Sequence, residues 1–168
     1  MYELRRLTAA DAPAVHDLLE SSPGYTLRIS GHPPSPDDAT EILSAAPPGI
    51  TGERKVDLGL FDGPVLVGVA DVLRGYPAEH QAYIGLLLVR GDRHGHGLGR
   101  RLHDHVLELV QTWPEVSTLR LGVVETNAAS AVGFWEALGY EPTGETAPYE
   151  NGAVRCSVVR YERPVPKG

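Results

Sequence analysis

Cysteine is nearly missing from this sequence: Cys156 stands alone among 168 residues. One thiol has no internal partner, so a disulfide-stapled extracellular domain is excluded and a reducing compartment, the cytoplasm, is the expected location. Lysine is scarce as well, occurring at Lys55 and Lys167 only, and the rest of the 15 basic residues are arginine. Against them stand 22 acidic residues, for a formal charge of -7. A nucleic-acid binder needs clustered cations in excess to neutralise phosphates, so none is expected here. Long apolar runs are absent too. The longest, such as Ile84 to Val89 and Val65 to Ala70, fall far below the roughly 20 residues that cross a bilayer. Met1-Tyr2-Glu3-Leu4-Arg5-Arg6 places charge where a secretory signal would place its apolar stretch, so neither membrane insertion nor secretion is expected.

What remains is ordinary globular material, with 42% hydrophobic and 22% charged residues. One domain spanning residues 1–168 is expected from that composition and length. The preference for arginine, together with 19 Gly and 14 Pro, points by association to a GC-rich bacterial genome.

Tyr2 to Leu7 reads as a strand and Ala12 to Leu19 as a helix. Ser21 to Pro36, holding Pro23, Pro33, Pro34 and Pro36, reads as an irregular loop. A second short helix is expected from Ser35 as N-cap, with Pro36 at N1 and Asp37 and Asp38 in the first turn. Val56 to Phe61 and Val65 to Leu73 flank Asp62-Gly63-Pro64 as a hairpin. Gln81 to Val89, apolar on both faces, is expected to be central. A helix with Leu98, Leu102, Val106, Leu109 and Val110 on one stripe runs to Pro114. Ser117 to Val124, a helix from Ala128 to Leu138 closed by Gly139, and a hairpin turning at Asn151-Gly152 before Val154 to Tyr161 complete the chain. Such an order predicts a single-domain α/β fold, a mixed, mostly antiparallel sheet flanked by helices.

The informative centre is Gly95, Gly97 and Gly99, lying between an apolar strand and a helix. Glycines there remove side chains where backbone N–H groups are unpaired and the helix dipole is positive, the environment that cradles phosphate. A Walker loop requires Gly-Lys-Ser/Thr, which Leu98-Gly99-Arg100 does not supply. A dinucleotide loop beginning at Gly95 would need glycine where Arg100 stands.

Gly95-His96-Gly97-Leu98-Gly99-Arg100-Arg101-Leu102 following Val89, and Asn127 followed by Ala131 and Phe134-Trp135-Glu136-Ala137-Leu138-Gly139-Tyr140, resemble the pyrophosphate loop and late helix of the GNAT N-acetyltransferases. The resemblance covers roughly Tyr2 to Tyr161. It implies acetyl-CoA as co-substrate, with backbone groups of Leu87, Leu88 and Val89 on the pantetheine arm. His94, Gly95, His96, Gly97, Leu98, Gly99 and Arg100 would surround the pyrophosphate, and Asn127 and Trp135 would border the thiol end. The sequence departs from the family pattern in three places. His94 fills a slot usually held by Arg or Gln, Asn127 lies one residue further from the aromatic slot, and Trp135 replaces a frequent tyrosine acid. The resemblance also places the proline-rich segment over the acceptor pocket, which makes Tyr25, Arg28 and His32 candidates for substrate contact.

Indole does not donate a proton in the working range, so Trp135 is no general acid. A thiol with pKa near ~8.5 leaves fairly well unaided. A backbone N–H of the central strand, expected at Val89, would bind the developing oxyanion. For the base, Asp71 comes first, an acid inside an apolar strand, followed by Tyr83 and Glu125. No metal site is expected: His103 and His105, at i and i+2, point to different sides of a helix, and His94 and His96 read as loop residues near phosphate. His105 is expected at the edge of the apolar stripe, and Cys156 as a small core residue. The resulting expectation is an acetyl-CoA-dependent acyltransferase acting on a primary amine of a small molecule, with a homodimer left open. Its alternatives are a non-catalytic acyl-CoA sensing domain and an acetyltransferase for protein N-termini or lysines.

Overall fold

The computed structural model describes residues 1–167. Seven strands form one sheet in the order β1-β2-β3-β4-β5-β7-β6. They are β1 (Tyr2–Arg6), β2 (Lys55–Asp62), β3 (Val65–Arg74), β4 (Gln81–Val89), β5 (Thr118–Val124), β6 (Glu141–Asn151) and β7 (Val154–Pro164). Five helices accompany them: α1 (Ala12–Glu20), α2 (Pro23–Ser30), α3 (Pro36–Ser44), α4 (Leu98–Gln111) and α5 (Ala128–Ala137). The β4–β5 pair is parallel, and every other neighbouring pair is antiparallel.

Local chemistry accounts for most helix starts. Ser35 and Asp38 form a reciprocal capping box ahead of α3, with Pro36 in its first turn. The expected loop from Ser21 to Pro36 is a correction, since α2 occupies its middle. Pro23 stands in the first turn of α2, where its missing N–H costs no helical bond. The other three prolines lie beyond Gly31, which closes the helix in a left-handed conformation. The last hairpin turns on Gly152 and Ala153, one residue later than expected, because Asn151 still pairs with Val154.

The sheet buries both faces. Val56, Leu58, Ala70, Val72, Ile84, Leu119 and Leu121 pack on one side against Leu98, Leu102, Val106 and Val110 of α4. On the other side Val15, Leu18 and Leu19 of α1 and Ala39 of α3 cover Leu66 and Val69. Because side chains alternate along a strand, the residues interleaved with the first set emerge on the second face. Asp57, Asp71, Tyr83, Arg120 and Arg160 are among them.

One irregularity positions everything that follows. Asp71 lies opposite Leu86, yet Val72 lies opposite Ile84, so Gly85 is an extra residue on β4. A bulge of this kind bends and twists its strand. Pairing with β5 stops at Ile84–Leu121, although β4 runs on to Val89 and β5 to Val124. The strand expected at the centre of the sheet is there, but its second half is uncovered, with Gly85 exposed and Leu86 to Val89 half-buried.

Candidate active site

The two strands diverge from Gly85 and Gly122 onward and open a cleft of about 930 Å³. Its walls are Leu86 to Val89 on one side and Leu121 to Val124 on the other, with α5 contributing Ala131, Phe134 and Trp135. In the β3–β4 ladder Arg90 donates to Val67 at 2.9 Å. By alternation the N–H groups of Leu88 and Leu86 also face β3, and those of Leu87 and Val89 face the cleft without a strand partner. The Val89 carbonyl turns instead to His94 Nε2, 3.2 Å away.

The glycine loop closes one end of this cleft. Gly95 and Gly97 have φ of 85° and 72°, a region that L side chains enter only with strain. Gly97 is the N-cap of α4 and no side chain caps the helix. Its first N–H groups and the positive end of its dipole therefore face the loop, an arrangement suited to a phosphate. Gly99 serves packing: a Cβ there would stand 2.9 Å from the Phe134 ring.

At the apex of the divergence the chemistry changes. The Asp71 carboxylate lies directly over Gly85, where a Cβ would collide with Oδ2. Oδ1 accepts from Lys55 Nζ at 2.5 Å, and the same ammonium reaches Asp57 at 3.4 Å and donates to the Ile42 carbonyl at 2.8 Å. Asp57 is the cross-strand partner of Asp71, and both are buried. Burial pushes the Asp57 carboxyl up to about 7, the hydrogen bond and charge of Asp71 add to the rise, and Lys55 opposes it. Two carboxylates thus share one cation. Beside them a second cavity of about 240 Å³ takes in Asp71, Asp38 and Glu41. Tyr25, Ile29, Gly85 and Leu86 wall both cavities. The C-terminal end of α2 roofs the junction: Tyr149 Oη donates to the Ile29 carbonyl at 2.8 Å, and Arg28 Nε donates to Asn127 Oδ1 at 2.7 Å.

A strand pair that opens beside a glycine loop at a helix start agrees with what sequence families and known structures report. The family model described as the acetyltransferase (GNAT) family matches residues 14–140. The chain belongs to the GNAT acetyltransferase family. It is an acyltransferase by that membership, and the family uses acetyl-CoA as acetyl donor. An acetyltransferase from Thermus thermophilus is 28% identical with a TM-score of 0.75, over 98% of this chain and 97% of that one. The ribosomal-protein-S18-alanine N-acetyltransferase of Escherichia coli is 21% identical with a TM-score of 0.71, over 100% and 96%. A GNAT-family acetyltransferase from Streptococcus pneumoniae is 15% identical with a TM-score of 0.70, over 99% and 100%. These last two likenesses carry the fold. No curated protein sequence matches the chain.

Within this GNAT fold the residues singled out for the donor gather at the cleft. Leu87, Leu88, Val89, His94, Gly95, Gly97, Leu98, Gly99, Arg100, Asn127 and Trp135 all line it, while His96 is exposed and does not. Trp135 is buried and stacks edge-on with Phe134 and Tyr140. Of the three acids and bases proposed from sequence, Asp71 alone reaches a cavity wall. Tyr83 accepts a hydrogen bond from Arg160 at 2.6 Å, and burial raises its pKa. Glu125 is exposed and accepts from the Ser157 amide at 3.3 Å. Tyr25 and Arg28 line the cleft, whereas His32 is exposed against Gly152. Cys156 is half-buried rather than a core residue. The histidine inside α4's packing is His103, fully buried, while His105 lies partly exposed near Glu108.

Lys55 and Asp57 escaped the sequence reading. Lys55 stands at a strand start, where lysine is ordinarily solvated, and Asp57 followed it as one more charge. The available signal was register: a hairpin turning at Asp62-Gly63-Pro64 sets Asp57 across from Asp71.

Proposed function

We propose that this GNAT enzyme transfers acetyl from acetyl-CoA to a primary amine of a small molecule, as a single domain over residues 1–168 in a bacterial cytoplasm. The observation that carries this reading is the junction at Gly85, where the donor-shaped cleft meets a cavity of about 240 Å³ holding Asp71. A cavity of that size, roofed by α2, favours a compact acceptor over a folded protein surface.

In the proposed reaction Asp71 takes a proton from the ammonium, directly or through water, and the neutral nitrogen attacks the thioester carbonyl. A C–N bond forms, the C–S bond breaks, and the thiolate leaves to be protonated by solvent. Charge developing on the carbonyl oxygen is met by a backbone N–H that β5 leaves free. Leu87 supplies it in preference to Val89, since it lies one residue beyond the partner of Asp71 and Val89 lies three beyond. Lys55 fixes the Asp71 carboxylate in place by donating to it, and alignment of both substrates at the apex supplies much of the acceleration.

CoA release across a panel of amines is the direct test. Asp71→Asn should lower turnover by about 10²- to 10⁴-fold near neutral pH with acetyl-CoA affinity unchanged. The deficit should shrink as pH approaches the acceptor's own pKa, where the amine arrives neutral. A defect of equal size at every pH, accompanied by a lower melting temperature, would remove the proton-acceptor role from Asp71. Acetyl-CoA binding with no CoA release on any amine would favour a sensing domain.

A further inference from the structure

Arg120 and Arg160 lie on the sheet face that carries Asp71, on the paired strands β5 and β7. Arg120 is held by the carboxylates of both Glu145 and Glu162. Arg160, next to Arg120 on the same face, has none among the described residues. Its one side-chain partner is Tyr83 Oη, which accepts from Nη1 at 2.6 Å. The guanidinium is half-buried and stands over Gly122, where a Cβ would be 2.6 Å from Nη1 and 2.9 Å from Tyr83 Oη. Beside a neighbour held by two acids, this guanidinium without a carboxylate is explained by its placement. Arg28, whose Nε goes to the neutral Asn127, is a second such cation on the cleft wall.

The placement supplies the explanation. Gly85 and Gly122 directly follow the last β4–β5 pair, Ile84–Leu121. The Asp71 carboxylate hangs over the first glycine and the Arg160 guanidinium over the second. Both lie on the face opposite α4, across strands spaced about 4.8 Å before they splay. A carboxylate and a guanidinium therefore stand over two glycines of neighbouring strands at the apex, about one strand spacing apart.

Resting on the acetyl-transfer reading above, we propose that the acceptor is an amino acid: its ammonium is held by Asp71 and its carboxylate by the fork of Arg160, with Arg28 adding positive charge. Two groups of opposite sign two or three bonds apart fit this spacing with a hydrogen bond at each end. A peptide N-terminus lacks the carboxylate at that distance, and an aliphatic diamine presents a cation where the site already holds one.

The test compares free L-amino acids with their primary amides, N-terminal peptides and putrescine in CoA-release assays on the intact protein. The best amino acid should exceed its own amide by about tenfold to a hundredfold in kcat/KM, the range of a charge-assisted, two-pronged hydrogen bond. Arg160→Gln should cancel that preference and Arg160→Lys should restore part of it, since the charge returns without the fork. KM for acetyl-CoA should stay unchanged. Melting curves check that both variants fold, and if neither does, the wild-type panel decides alone. Amides, peptides or putrescine acetylated as well as the amino acids would overturn the acceptor assignment and leave acetyl transfer standing. If acetyl-CoA binds but no compound releases CoA, the acetyl-transfer reading falls and this inference with it.

Discussion

Asp57 and His103 are both buried, and they bend the stability of the protein in opposite directions with pH. Asp57 has its carboxyl raised to about 7 by burial first, then by Asp71. The folded state therefore binds a proton that the unfolded chain has lost above about 4, so this group's contribution to stability declines as pH rises from about 4 to 7. Asp57→Asn removes that decline and leaves Lys55 with one carboxylate. Its melting temperature relative to wild type should become more favourable between pH 5 and pH 8, and a constant difference would show that Asp57 is ionised throughout. His103 has the reverse sign. Burial lowers its pKa to about 4, with the charge of Arg163 assisting. The unfolded imidazole takes up a proton below about 6.5 that the folded one refuses, and stability falls as pH drops through that window. Nε2 lies 2.8 Å from Tyr140 Oη. His103→Phe orphans that hydroxyl and should cost about 1–3 kcal/mol at pH 7. The gap from wild type should narrow between pH 6.5 and pH 4 in denaturant melts. Neither environment was legible in sequence, because burial of a charged side chain comes from elements packed over it: α1 and α3 over the face holding Asp57, and α5 and Tyr140 against His103.

Elements were far more legible. β4 runs from Gln81 to Val89 as its apolar run predicts, and α4 begins at Leu98 beyond the glycine loop. Both follow from local rules: an unbroken apolar stretch between breakers, and glycines where the backbone must turn left. α2 was missed because proline density was weighed without proline position. The loop carries a prediction of its own. Acetyl-CoA at about 100 times its dissociation constant adds ~2.7 kcal/mol, which at roughly 2–4 °C per kcal/mol raises the melting temperature by ~5–11 °C. NADH and ATP should do much less. Gly97→Glu should abolish the shift, since it puts bulk and negative charge at a left-handed N-cap beside the expected pyrophosphate position. A shift that survives in this variant would move the donor away from the loop.

At the scale of the whole molecule, two apolar clusters share one sheet, and Val69 and Ala70 are adjacent residues belonging to opposite faces. Neither cluster can unfold without baring the other's strands. A single calorimetric transition with equal calorimetric and van't Hoff enthalpies is the expected outcome for the single domain, and two resolved transitions would split it. Periodicity and chain breakers, together with the family resemblance carried by Gly95 to Leu102 and Phe134 to Tyr140, were enough to read the fold class and the element order apart from α2, because these depend on residues close together in the chain. The proposed acceptor end rests on packing. Asp71 meets Lys55, Asp57 and Gly85 through the register of three strands, and Arg160 meets Gly122 through two more. Where β4 parts from β5 depends on one extra residue in a ladder, a feature that exists only once both strands have found their partners.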